Sequence, residues 1–185
     1  MPPAFDLEVD SSLVLLIDVQ ERFTTAIPGI TADGDCGRAC ALLLKGAKLL
    51  DIPVIISEQY PAGLGHTVPH LADADATVVA KVAFSCCDDD TLREELAKRD
   101  RDYIIVAGIE SHVCVLATVD DLQRRGYQVV VAADAVASRD PAHVELALAT
   151  MRQLGALVLP VESILFRWQR LAGGSRFKEL SRLVR

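Results

Sequence analysis

Six short apolar runs constrain this chain more than any other feature. They are LVLLID (13–18), VIIS (54–57), TVVAK (77–81), YIIVAG (103–108), QVVVAAD (128–134) and ALVLP (156–160). All are rich in β-branched residues and none alternates with polar ones. A strand apolar at successive positions is expected where both faces are covered, whereas a half-solvated strand alternates. The intervening stretches CGRACALLLKGAKLLD, TLREELAKRD, VLATVDDLQRRG and PAHVELALATMRQLG carry helical periodicity. In the last of these, Asp140 can cap the start, Pro141 suits the first turn and Gly155 stops the helix. Strands alternating with helices predict a parallel sheet, and right-handed crossovers put helices on both of its faces. No internal repeat, low-complexity tract or linker divides the chain. Its 185 residues are expected to form a single domain, 1–185, long enough to bury a core without metals or disulfides.

Charge narrows the partners. The net charge is −7 and the isoelectric point about 5.0. No lysine–arginine cluster stands out, so neither a nucleic acid nor an anionic membrane is an expected partner. No apolar run reaches the ~20 residues of a membrane span. The opening MPPAFDLEVD lacks the basic and apolar regions of a secretory signal. The five cysteines are odd in number and contain no repeated CxxC, which fits reduced thiols and a cytoplasmic protein.

Ligands of an open parallel sheet bind beyond the carboxyl ends of its strands. There the sequence places Asp18 and Gln20 after the first run, Ser57, Glu58 and Gln59 after the second, and Lys81 with Phe84 after the third. Glu110 and Cys114 follow the fourth, and Asp134 ends the fifth. Each has a plainer reading alone: Asp18 as a turn cap, Lys81 as a solvated strand end, Cys114 as an inert buried thiol. Together an acid, an ammonium and a thiol converge on one edge. An apolar strand that runs straight into a charge must leave that charge wet or paired. Cys114 also precedes a helix, whose unpaired amides would favour a thiolate, and a nearby Lys81 would add to that. Asp18 could then take the thiol proton and return it to a leaving group.

The stretches LLIDVQERF, KVAFS and AGIESHVCV together resemble the isochorismatase-like cysteine hydrolase superfamily. SEQYPAGLGHTVPHL and VESILFRW are similar to its isochorismatase-domain-containing branch. The resemblance runs from about residue 10 to residue 166. It implies a three-layer, Rossmann-like α/β/α sandwich with a six-stranded parallel sheet, and a catalytic triad of Asp18, Lys81 and Cys114. It also implies a non-proline cis peptide at Ile109–Glu110, with the backbone amides of Glu110 and Cys114 forming an oxyanion hole. Gln20, Phe23, Glu58, Gln59 and Phe84 are the expected substrate contacts. One departure bears on cofactors. Nicotinamidases of the superfamily carry an Asp-x-His metal motif after the second strand, where this chain has SEQYPAG. No metal and no other cofactor is therefore expected. Some isochorismate-cleaving members lack the cysteine, so Cys114 favours an amide-like or other acyl small-molecule substrate, attacked by the thiol to give a thioester.

Other candidates weigh less. His112, two residues from Cys114, suits a structural or rim role. His66 lies in the glycine-containing insertion 59–71, which is either a wandering loop or a substrate-side lid. Cys36 and Cys40 share a helix face but lack further zinc ligands. Cys86 and Cys87 are expected to pack, and Asp88–Asp90 to charge a helix start. On a helix, Ile164, Leu165, Trp168 and Leu171 would form an apolar stripe. It either covers the sheet or, as the resemblance favours, is buried in a homo-oligomer, dimer or larger. Two rival functions remain open on the same fold: a non-catalytic thiol-reactive sensor or binding protein, and an assembly module.

Overall fold

The computed structural model describes residues 7–72 and 75–185. Residues 1–6, on which the reading of the N-terminus bears, lie outside that range. Six strands form one parallel sheet: β1 Ser12–Ile17, β2 Val54–Gln59, β3 Thr77–Lys81, β4 Tyr103–Ile109, β5 Gln128–Ala137 and β6 Leu157–Leu159. Their order across the sheet is β3-β2-β1-β4-β5-β6. The chain therefore winds outward from β1 to one edge, then returns to β4 and winds to the other. The order reverses between β1 and β4, the point at which open α/β sheets leave a crevice beyond their carboxyl ends.

The helices are α1 Asp35–Leu49, α2 Pro61–Leu64, α3 Asp90–Arg99, α4 Leu116–Arg124, α5 Pro141–Gln153, α6 Val161–Trp168 and α7 Gly174–Leu183. None of them is long and apolar enough to cross a membrane. Side chains of α1, α6 and α7 pack on one face of the sheet with Val14, Leu16, Ile56 and Ile105. Those of α3, α4 and α5 pack on the other with Leu13, Leu15, Ile17 and Ile104. This is the expected three-layer sandwich. The start of α5 is as anticipated: the Asp140 carboxylate accepts from Ala142 N–H at 2.9 Å, with Pro141 in the first turn. Asp89 caps α3 in the same way, accepting from Leu92 N–H at 3.0 Å.

Four expectations change. β1 is buried at every position, but β3 is an edge strand and only one of its faces is covered. Val79 enters the core, while Val78, Ala80, Val82 and Phe84 turn outward. Second, β5 continues past Asp134 to Ala137, and the Asp134 carboxylate instead accepts from Val161 N–H at 2.8 Å, where it caps α6. Third, most of the stripe at 164–171 belongs to the core. Ile164 and Leu165 are fully buried, Trp168 is buried with its indole N–H donating to Ser12 Oγ at 2.9 Å, and only Leu171 is exposed. Helix α6 must cover apolar sheet that α1 alone leaves open, and it does so with these side chains. Fourth, α7 was not foreseen.

Candidate active site

Asp18 leaves β1 in the left-handed conformation, with φ of 52°. Aspartate tolerates that region better than most residues because its short side chain can bond locally. Its backbone N–H donates to Ser57 O at 3.1 Å, and its carboxylate is held at both oxygens. Ser57 Oγ donates to Oδ1 and Lys81 Nζ donates to Oδ2, each at 2.7 Å. Both partners of the Lys81–Asp18 ion pair are buried, with side chains 0% and 2% exposed. Lys81 Nζ also donates to Gln59 Oε1 at 2.7 Å and to Ala83 O at 3.1 Å. An ammonium has three N–H donors, and all three are engaged. Lys81 is thus an anchored charge with no free proton to lend.

β4 brings the thiol. Gly108, at φ 116°, lies so close to β1 that a Cβ there would strike the Ile17 carbonyl. The next peptide bond, Ile109–Glu110, is cis. A π-helical turn, Ser111–Val115, follows and carries Cys114 into α4. Cys114 is buried at 7% exposure. Its thiol is pushed up to about 12, first by burial, then by the Asp18 charge and a hydrogen bond to that carboxylate, against the opposing pull of Lys81. The expected helix-end thiolate is therefore replaced by a protonated thiol. The cause is the carboxylate that faces the sulfur, combined with exclusion from water. A thiol that resists ionisation beside an acceptor of its proton is suited to losing that proton during attack rather than before it.

The other strand-end residues have other work. Gln20 closes a clamp: its Nε2 donates to Gln59 O at 3.0 Å and to Gly65 O at 2.7 Å, and its Oε1 accepts from Gln59 N–H at 2.8 Å. Gln59 orients Lys81, and its Nε2 donates to Val82 O at 2.6 Å. Glu58 holds the 59–71 insertion, accepting from Thr67 N–H at 2.7 Å and Thr67 Oγ1 at 2.9 Å, with His66 Nδ1 at 2.9 Å. Burial would raise the Glu58 carboxyl, but the Thr67 and His66 bonds outweigh it and hold it low. Main-chain bonds from Glu21 to His66 and from Val68 to Val19 complete the docking of this segment. Phe23 is half-buried against the α1 layer, and Phe84, three residues past the end of β3, is 62% exposed.

Glu110 points its carboxylate away to Arg139, accepting from Nε at 2.9 Å and from the backbone N–H at 3.2 Å. His112 pairs Nδ1 with Ser138 Oγ at 3.0 Å and rests against the His143 ring at 4.6 Å, a rim arrangement. Two buried residues were undervalued in the sequence. Ser57 was only a strand-end serine there, although it touches the acid. Cys86 was expected merely to pack. Its fully buried thiol lies within the field of Lys81 and Asp18, against Ser57 and Thr118, and burial pushes it up to about 12. No local spacing marks either residue: Ser57 meets Asp18 through strand register, and Cys86 lies in a short helical turn beyond β3. Among the described residues no three or more His, Cys, Asp or Glu side chains are grouped to hold a metal.

Residues 12–163 match the Isochorismatase family, the isochorismatase domain. The chain is 38% identical to human isochorismatase domain-containing protein 2, over 95% of this chain and 83% of that protein. Its fold superposes with a TM-score of 0.87 on a structure described as the MAR1 ribonuclease of Caenorhabditis elegans, 33% identical, covering 96% of this chain and 91% of the other. A TM-score of 0.91 relates it to the YcaC gene product of Escherichia coli, described as an octameric hydrolase of unknown specificity. That pair shares 22% identity over 99% of this chain and 92% of the other, a likeness of fold.

Proposed function

The chain belongs to the isochorismatase family, and we propose that it is a cysteine hydrolase of small amide-like or other acyl substrates, working through Asp18, Lys81 and Cys114 without a cofactor. The observation that carries this reading is a buried carboxylate with both oxygens fixed, by Ser57 and by Lys81, whose charge acts on the buried Cys114 thiol. The Cys114 sulfur attacks the substrate carbonyl as its proton passes to Asp18. The carbonyl electrons move onto oxygen, where the backbone N–H groups of Glu110 and Cys114 receive them. Collapse expels the leaving group with the proton from Asp18 and leaves a thioester on Cys114. Asp18 then draws a proton from water, the hydroxide adds to the thioester, and the acid leaves as the thiol is restored. Lys81 keeps its hold on Asp18 Oδ2 between transfers. Gln20, Phe23, Glu58, Gln59 and Phe84 frame the pocket, the polar ones by fixing its walls.

The name of the nematode relative raises a nucleic-acid substrate. A chain of net charge −7 is poorly suited to collecting phosphates. We read the protein as a single cytoplasmic domain that self-associates, as its octameric E. coli neighbour does, and light scattering tests the association. The deciding experiment screens small amides, ureas and thioesters against wild type and Cys114→Ala, with intact-mass detection of acyl-protein. A transient adduct on Cys114 followed by product release is expected. Full turnover by Cys114→Ala would sink the covalent mechanism, and a permanent adduct without product would make the protein a thiol-reactive sensor.

A further inference from the structure

We infer that Ser57 is a positioning residue that sets both the orientation and the proton affinity of Asp18. The inference deepens the hydrolase reading and rests on it. Ser57 is fully buried and grips Asp18 at two points. Its carbonyl accepts from Asp18 N–H at 3.1 Å, and its hydroxyl donates to Oδ1 at 2.7 Å. Register makes this contact: Ser57 stands opposite Ile17 in the β1–β2 ladder, one residue before the acid turns out of the strand. A serine hydroxyl has a single proton, and here it is committed to the carboxylate. With Lys81 on Oδ2, the carboxylate cannot rotate without breaking a bond. Its remaining lone pairs are thereby aimed at Cys114.

The hydroxyl also tunes the base. A donor to a carboxylate stabilises the anion and lowers its affinity for a proton. Lys81 alone would hold the charge but would leave Oδ1 of this buried carboxylate without the hydroxyl donor. Two donors instead of one leave the carboxylate fixed enough to meet the thiol proton along one line. Backbone pairing alone asks nothing of this side chain. Alanine would fit the strand equally well, so the hydroxyl is where function shows.

The test follows iodoacetamide alkylation of Cys114 against pH, read by peptide mass in wild type, Ser57→Ala and Ser57→Thr. Alkylation forms the S–C bond, releases iodide and sends the thiol proton to Asp18, so its acid limb reports that carboxylate without needing the native substrate. Ser57→Ala should move the acid limb up by about one pH unit and lower the plateau about tenfold. Ser57→Thr, which keeps the hydroxyl, should return the limb toward wild type. With a turned-over substrate, Ser57→Ala should lower kcat and leave KM nearly unchanged. Should Ser57→Ala fold poorly, Ser57→Cys, a weaker donor of similar size, should give an intermediate limb. Superimposable limbs for wild type and Ser57→Ala would overturn the inference. Failure of wild type to form any acyl adduct would instead overturn the hydrolase reading, while the alkylation limbs still judged Ser57.

Discussion

Asp18 and Glu58 are both buried acids at the carboxyl ends of adjacent strands, yet they are built for different ends. Asp18 is bound by an ammonium and a serine hydroxyl from other strands, and its charge acts on a thiol in the turn after β4. Glu58 is bound by Thr67 and His66, both from the insertion that begins directly after its own strand. The first set of partners couples the acid to a buried ammonium and to the Cys114 thiol, and the second pins a loop. Burial and position at a strand end are therefore poor guides to chemistry. What distinguishes the two is whether a partner carries a proton that a substrate can use.

The largest test of that contrast is turnover. Asp18→Asn removes the proton acceptor and should lower kcat/KM by about a thousandfold or more. Glu58→Gln should keep most of the activity, since Gln can still accept from Thr67. Equal losses in a steady-state assay would erase the distinction between a reacting acid and a clamping one.

Stability should separate them next. Lys81→Ala leaves the Asp18 charge buried without its counter-ion, a cost of about 3–5 kcal/mol. Glu58→Ala leaves the Thr67 N–H without its acceptor, which costs about 1–3 kcal/mol. Urea denaturation compares the two. If Lys81→Ala lost less than Glu58→Ala, the ion pair would have to be better solvated than its burial implies.

The smallest effect is one of pH. Glu58 is held below its usual 4.5, so its contribution is present above that value and is lost as pH falls through the folded pKa. His66 is held above its usual 6.5, through its bond to Glu58 and then that residue's charge. Its contribution is full below 6.5 and fades as pH rises through the folded pKa. The clamp should be tightest between about 4.5 and 6.5 and loosen modestly above. The neutral ring can still donate from Nδ1, so the loss is partial. Hydrogen exchange at Thr67, corrected for intrinsic rates, should show the greatest protection in that window. Protection that kept rising above neutrality would mean that His66 does not hold the segment.

The strands and the long helices were legible because their signals are local. β-branched runs, the Asp140–Pro141 helix start and the Gly155 stop all act within a few residues. The convergence of Asp18, Lys81 and Cys114 was legible too, since parallel strands deliver their ends to one edge. Hydrophobicity announced that Trp168 and Val78 are apolar but not what covers them. Both expectations reversed: the stripe at 164–171 went inward and a face of β3 stayed outward. Composition along a segment cannot say which neighbours reach it, and α6 reaches the sheet while nothing described covers the outer face of β3.

What the sequence determined by itself is therefore the layered parallel sheet and the three side chains that meet at its edge. Periodicity and strand direction are properties of short segments. Only the tertiary structure decided the state of Cys114, raised to about 12 rather than ionised, and the assignment of Ser57 and Lys81 to opposite oxygens of Asp18. Proton affinity depends on burial and on charges a few ångströms away. In this fold the hydroxyl and the ammonium that bind Asp18 come from strands 39 and 63 residues distant along the chain, where no local pattern can see them.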